Sequence, residues 1–334
     1  MRGLTFSLLL LLAVVSADAA VTGRVINRTT GQPAAGVPVT LIKMQVSMDP
    51  VAEVFTNNAG EFSFNDDLLD ASGTRTVGML RAEYQSVNYS HLLGPMMPKE
   101  GVEVEIFDSV TRPLAPAQRI VILEPGPEEV VVNESFLFAN DEKPPVTFRN
   151  PVQGALQFYL PEEAKGIVDV QGAGPAGMNL NASADPTDEP GWYKVDFPIK
   201  PGSNRIGLTY VATRPPDGEA LALPTRYPTA HTRIAAPAGP GGVRLAGPNL
   251  TTMGVEPQMQ VEIFDLARGA EAAVTIEGSL APRPAAAAAG GLGGGPPNQI
   301  SIQNAPVATE LWWILAVIVG ILGIGFYNLN TSKA

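Results

Sequence analysis

The sequence predicts an all-β protein, with tandem antiparallel β-sandwich domains and a C-terminal transmembrane helix. Three observations carry that expectation. Short apolar–polar alternations recur between Gly, Asn and Pro, the mark of half-buried strands. Gly and Pro number 34 and 31 of 334 residues while charged residues are 16%, a composition of many turns and few surface helices. Near the C-terminus, Leu311–Tyr327 runs without a charge.

Residues 1–20 have the three-part layout of a signal peptide: Arg2, then the mostly apolar Leu4 to Val15, then Ala17-Asp18-Ala19 for cleavage near Ala19 or Ala20. Strand-like runs follow at once. A first group spans 21–112, with "VTGRVIN", "VPVTLIKMQV", "GEFSFN" and "VEVEIFDSV"; Val37, Val39 and Leu41 alternate, as do Phe62 and Phe64. Asn57-Asn58-Ala59-Gly60 is expected to make a hairpin turn, with Gly60 free to take positive φ. The region 113–280 continues as one or two further sandwiches, with Tyr193, Val195 and Phe197 alternating in phase. "VEIFD" occurs at Val104 to Asp108 and again at Val261 to Asp265, in unlike flanks, as two similar edge or closing strands.

The stretch 281–310 is rich in Ala, Gly and Pro and reads as a linker; the 26 residues from Ala281 to Pro306 have an r.m.s. reach of about 25–30 Å. Residues 311–327 are long enough for a minimal bilayer span, with Trp312, Trp313 and Tyr327 at the two ends, where such rings favour the headgroup layer. Residues 328–334 form a short tail with Lys333. A cleaved signal followed by one span puts the body outside the cytoplasm and the tail inside it.

Composition narrows the chemistry. There is no Cys, so thiol catalysis, iron–sulfur clusters, Cys-zinc sites and disulfides are out, and two His leave little for a His-based centre. The net charge of −11 argues against a nucleic-acid partner. Asp66, Asp67 and Asp70 lack calcium-loop spacing, and Asp185, Asp188 and Glu189 read as a solvated loop. His91 and His231 are isolated. Gly172 to Gly177, "GAGPAG", contains Pro and precedes no helical pattern, so it reads as a turn. Trp192 and Tyr193 are the strongest aromatic pair of the body, either strand packing or a sugar-stacking surface. Asn27, Asn88, Asn133, Asn181 and Asn249 each begin an N-glycosylation pattern. The sequence nominates no catalytic residue, no cofactor and no metal site.

The segment with Gly23 and Val25, Gly31, Pro33 and Gly36, then Val37, Val39 and Leu41, and Asn58, Gly60, Phe62 and Phe64, resembles the carboxypeptidase regulatory-like domain over Val21 to Val110. That resemblance implies a transthyretin-like β-sandwich of the carbohydrate-binding-like fold class. The remainder resembles the second half of bacterial envelope proteins that carry a signal, such a domain, further β-sandwich sequence and one span. The implied function is non-enzymatic: a tethered envelope protein of the periplasmic side that binds a protein or glycan partner. The alternative is an accessory or scaffold subunit of a membrane complex.

The signal reading predicts a mature chain beginning at Ala20 or Val21. N-terminal sequencing of the membrane fraction checks it, and an intact Met1 there refutes it.

Overall fold

The computed structural model describes residues 21–44, 48–65, 77–94, 96–162, 164, 169–228, 230–238, 243–258 and 260–279. The expected signal, linker, span and tail, and the acids Asp66, Asp67 and Asp70, lie outside the described residues. Among the described residues no helix is long and apolar enough to cross a membrane. The secondary structure there is strand, as the alternation requires.

The chain divides into two compact units, Met1–Val110 with Glu142–Thr147, and Thr111–Asp141 with Phe148–Ala334. The first unit holds β1 (Val21–Asn27), β2 (Gln32–Pro33), β3 (Pro38–Met44), β4 (Met48–Phe55), β5 (Glu61–Phe64), β6 (Val77–Tyr84), β7 (Val87–Leu93), β8 (Val102–Ile106) and β9 (Ser109–Val110). One sheet runs β4-β3-β6-β7; the other centres on β1, with β2 and β5 antiparallel to it and β8 parallel. Val25, Leu41, Leu80 and Ile106 belong to one apolar core and are wholly buried. Each such side chain contributes about 1.5–3 kcal/mol.

Polar closures complete this unit. Asn27 Nδ2 donates to Asp108 Oδ1 at 2.7 Å, and its Oδ1 accepts from Thr29 N at 2.9 Å. The first glycosylation pattern is therefore a structural fastening, with Asn27 6% exposed. Tyr89 OH donates to Phe107 O and shares a 2.9 Å hydrogen bond with Thr147 Oγ1, so Glu142–Thr147 is tied back to β7. Burial pushes the Tyr89 phenol up to about 12.

The second unit holds β10 (Gln118–Pro125), β11 (Glu129–Asn140), β12 (Thr147–Phe148, entering at Phe148), β13 (Leu156–Tyr159), β14 (Asp169–Ala173), β15 (Asn179–Asn181), β16 (Ala184–Pro186), β17 (Trp192–Val195), β18 (Gly202–Thr213), β19 (Ala220–Ala222), β20 (His231–Pro237), β21 (Arg244–Ala246), β22 (Leu250–Glu256), β23 (Val261–Leu266) and β24 (Ala273–Glu277). An eight-stranded sheet runs β15-β14-β18-β11-β10-β20-β23-β22, beside three-stranded sheets β13-β17-β16 and β19-β24-β21. Burial in β11 and β18 alternates almost without fault, one face closed and the other half open.

Three expectations need correction. The sheets are not purely antiparallel: β8 lies parallel to β1, and β20 parallel to β10. Parallel pairs need long crossovers, which the intervening strands supply, and side-chain alternation is the same for either direction. The Asn57–Gly60 turn joins no hairpin, because β4 pairs with β3 and β5 with β1. It is a corner between sheets: Asn57 Oδ1 accepts from Ala59 N and Glu61 N, while Gly60 O accepts from Val25 N. The two "VEIFD" copies also differ in role. Among the described residues β8 pairs only with β1, whereas β23 lies between β20 and β22.

Gly60 has φ +75°, and a Cβ there would lie 2.8 Å from Val25 O and 3.0 Å from Pro33 Cβ. Gly60→Val is therefore expected to destabilise the first unit by about 1–3 kcal/mol. Thermal unfolding of the chain checks it; an unchanged Tm refutes it.

Candidate functional site

Most of the residues singled out from sequence are occupied by neighbours. Trp192 and Tyr193 are successive on β17 and so point to opposite faces. Trp192 meets Tyr159 edge-on at 5.7 Å and lies beneath the Arg226 guanidinium at 4.3 Å, with Arg226 also paired to Glu189. Tyr193 stacks on Phe158 at 5.9 Å. The two rings form no shared platform. His231 Nε2 bonds Asp265 Oδ2 at 3.0 Å across the β20–β23 pair. His91 lies on β7 opposite Leu80. Asp185 and Asp188 are exposed. Gly172 ends under the Phe197 ring, where a Cβ would approach to 2.2 Å, and Gly174 to Gly177 turns β14 into β15. Among the described residues no group of three His, Cys, Asp or Glu could hold a metal ion.

Two arrangements were not foreseen. One is buried. Arg119 and Glu134 are 1% and 4% exposed, joined by Nε–H to Oε2 at 2.9 Å and Nη2 to Oε2 at 2.8 Å. Tyr210 OH donates to Glu134 Oε1 at 3.0 Å, and Arg119 Nη1 donates to Leu223 O at 3.0 Å. Burial, then the Glu134 charge, pushes the Tyr210 phenol far up. The cluster is closed to substrate and its donors face acceptors, so its chemistry is structural. Its sequence signal was present: Arg119 is in phase with Val121 and Leu123, and Glu134 with Val132 and Phe136.

The other is a polar row on the half-open face of the eight-stranded sheet. Register places Asp169 opposite Thr209, and Thr209 opposite Asn133. Gln171 Nε2 donates to Asp169 Oδ2 at 3.0 Å, Thr209 Oγ1 to Asn133 Oδ1 at 2.8 Å, and Asn133 Nδ2 to Glu124 Oε1 at 3.4 Å. Asp169 Oδ1 is buried and, among the described residues, has no hydrogen-bond partner. Ile122 lies beside this row, 38% exposed. Such a surface presents donors and acceptors next to an apolar contact, which suits a hydroxyl-rich or peptide ligand. By contrast, the hollow lined by Arg112, Phe148, Arg149 and Ile199 has room for about 10 Å³, scarcely a water molecule and far below the range of small-molecule sites.

No family model and no curated protein matches the chain. Solved structures similar to it include a two-domain M1 zinc metallopeptidase bound to L-arginine, at 12% identity and TM-score 0.26, covering 50% of this chain and 43% of that one. The chain thus spans less than half of that peptidase. Another is the full-length major pilin SpaD from Corynebacterium diphtheriae, at 14% identity and TM-score 0.21, covering 79% and 88%.

The buried pair predicts asymmetric mutational costs. Glu134→Ala, which strands the Arg119 charge, is expected to destabilise the second unit by about 3–5 kcal/mol. Arg119→Met with Glu134→Leu is expected to cost less than Glu134→Ala alone. Urea unfolding of the three chains checks this; a double variant less stable than the single refutes it.

Proposed function

We propose that this chain is a membrane-tethered β-sandwich protein of the bacterial cell envelope that acts by binding a protein or glycan partner and not by catalysis. The observation that carries the reading is the polar row from Gln171 and Asp169 through Thr209 and Asn133 to Glu124, set on the half-open face of a rigid eight-stranded sheet. Side chains fixed on strands make a preorganised surface, which lowers the ordering entropy lost on binding. The signal-like 1–20 and the uncharged 311–327 support secretion and anchoring, and the regulatory-like resemblance of Val21 to Val110 supports the envelope assignment. A membrane anchor raises effective concentration, so a weak surface contact suffices.

The test is to screen the purified full chain against envelope polysaccharides and against envelope proteins, together with ester, peptide and glycoside substrates. A retained ligand is expected to bind about tenfold or more weakly to Asn133→Arg with Thr209→Arg, a loss of about 1.4 kcal/mol or more. Turnover abolished by removing one carboxylate pair overturns the binding reading. Association with a membrane complex that survives those two substitutions but needs residues 311–327 favours the scaffold role instead.

A further inference from the structure

We propose that the free edge of β22 is a self-association site, where a second copy of this chain adds its own β22 antiparallel about a two-fold axis. Three observations lead there, all within the second unit. The first is an open edge. β22 ends the eight-stranded sheet and, among the described residues, pairs only with β23. Thr251 to Val255 are all exposed, Met253 at 63% and Val255 at 54%. The opposite edge, β15, is a poorer host: it has three residues, and Arg205 Nη2 donates to Asn179 Oδ1 at 2.8 Å.

The second is the direction of the backbone groups. Ala267 N donates to Asn249 O, and Ala238 N donates to Gln260 O. Alternation along β23 from either end turns Val261, Ile263 and Asp265 toward β22. Their partners Glu256, Gly254 and Thr251 therefore turn toward β23. The extra residue at the bulge between Thr252 and Gly254 shifts the phase, so Leu250 and Val255 both direct backbone groups to the free side. Leu250 N donates to Gly247 O at 3.3 Å, which leaves its carbonyl for a partner. Two copies laid antiparallel with Leu250 opposite Val255 make two bonds from Val255 N to Leu250 O, one on each side of the axis. That register sets the half-buried Leu250 against Val255 and brings the two Met253 side chains together at the axis.

The third is charge. Glu256 and Glu262 make one end of this edge acidic, with Glu262 Oε1 accepting from Thr252 Oγ1 at 3.2 Å. At the other end Arg268 follows Ala267, is exposed, and has no ion-pair partner among the described residues. A parallel copy would set Glu256 beside Glu256. The antiparallel register instead sets Glu256 opposite Asn249 of the second copy, about two strand spacings or roughly 10 Å from its Arg268, so the long side chains approach. A second copy thus supplies the opposite sign at both ends of the edge by symmetry.

β22 has seven residues, and a strand pair of that length buries less than the ~1,600 Å² of a standard interface, so the dimer is weak and concentration-dependent. The axis stands normal to the sheet, so both copies present their half-open faces on the same side. Pairing uses the β22 edge and not the polar row, so it does not rest on the glycan or protein reading, and the two fail separately.

The chain contains no Cys, so one introduced thiol reports cleanly. For the full chain in mild detergent, Met253→Cys is expected to give a disulfide-linked dimer about tenfold or more faster than Met96→Cys, although Met96 is 96% exposed. Met253→Lys, which sets like charges together at the axis, is expected to weaken dimerisation about tenfold in sedimentation, with Tm unchanged. Glu256→Arg and Arg268→Glu are each expected to weaken it about threefold, and the two together to restore it. Glu256 and Arg268 lie at opposite ends of β22, so that recovery reports a contact between copies. Equal crosslinking at both positions, dimerisation indifferent to Met253→Lys, or a double charge variant no better than the single ones overturns the proposal. A chain that stays monomeric while an added envelope protein protects the β22 amides from exchange also overturns it, and assigns the edge to that protein.

Discussion

The ion pair between Arg119 and Glu134 is the constraint on which the second unit turns. Two charges taken from water lose several kcal/mol of solvation each, and only complete pairing restores it. Here the partners come from four places: Arg119 on β10, Glu134 on β11, Tyr210 on β18, and the Leu223 carbonyl just beyond β19. A one-residue slip of β11 against β10 or β18 would turn Glu134 to the open face and leave Arg119 and Tyr210 without their acceptor. The cluster thereby specifies register across three central strands, and it ties the β19 segment to the same point. The polar row on the opposite face inherits that register, since Asn133 and Thr209 are the immediate neighbours of Glu134 and Leu208.

The first unit meets the same need differently. Its core is apolar throughout, and its specificity comes from the rims: Asn27 with Asp108 and Thr29, Thr56 with Ala34 and Val37, Gly60 against Val25. Thr29 shows the economy of such rims. Its hydroxyl accepts from Asp108 N and donates to Pro145 O, joining the turn after β1 to a segment more than a hundred residues later. Buried hydroxyls and amides of this kind cost about 1–3 kcal/mol when left unpaired, so they punish wrong closures.

Strand existence was legible because alternation is local. Phe62 and Phe64 are buried with Ser63 exposed between them, and Val37, Val39 and Leu41 are buried. Strand partnership was not legible, because it is decided by residues far away. Asn57 to Gly60 has the composition of a hairpin turn, yet the hydrogen bond that fixes it comes from Val25, more than thirty residues earlier. Parallel β1–β8 pairing is hidden for the same reason. The charged cluster was half legible: a charge in phase with buried valines announces a buried ion pair, but not which strands complete it. The polar row required the register of four strands before Asp169, Thr209 and Asn133 could be seen as neighbours.

The charge distribution bears on which partners the proposed binding surface would favour. Arg24 and Arg28 pair with Glu103 and Glu105, Arg149 with Asp196, Arg226 with Glu189, and Arg233 approaches Asp265. Each is a cation whose field is cancelled locally, so the excess of 33 acidic over 22 basic residues dominates at a distance. Long-range attraction therefore favours neutral or cationic partners and works against polyanions. At close range the half-open sheet offers amides, a hydroxyl and carboxylates beside Ile122, groups that exchange hydrogen bonds with water at small net gain. Recognition built from such groups is selective through geometry more than through strength. In that regime effective concentration contributes more to occupancy than any single contact.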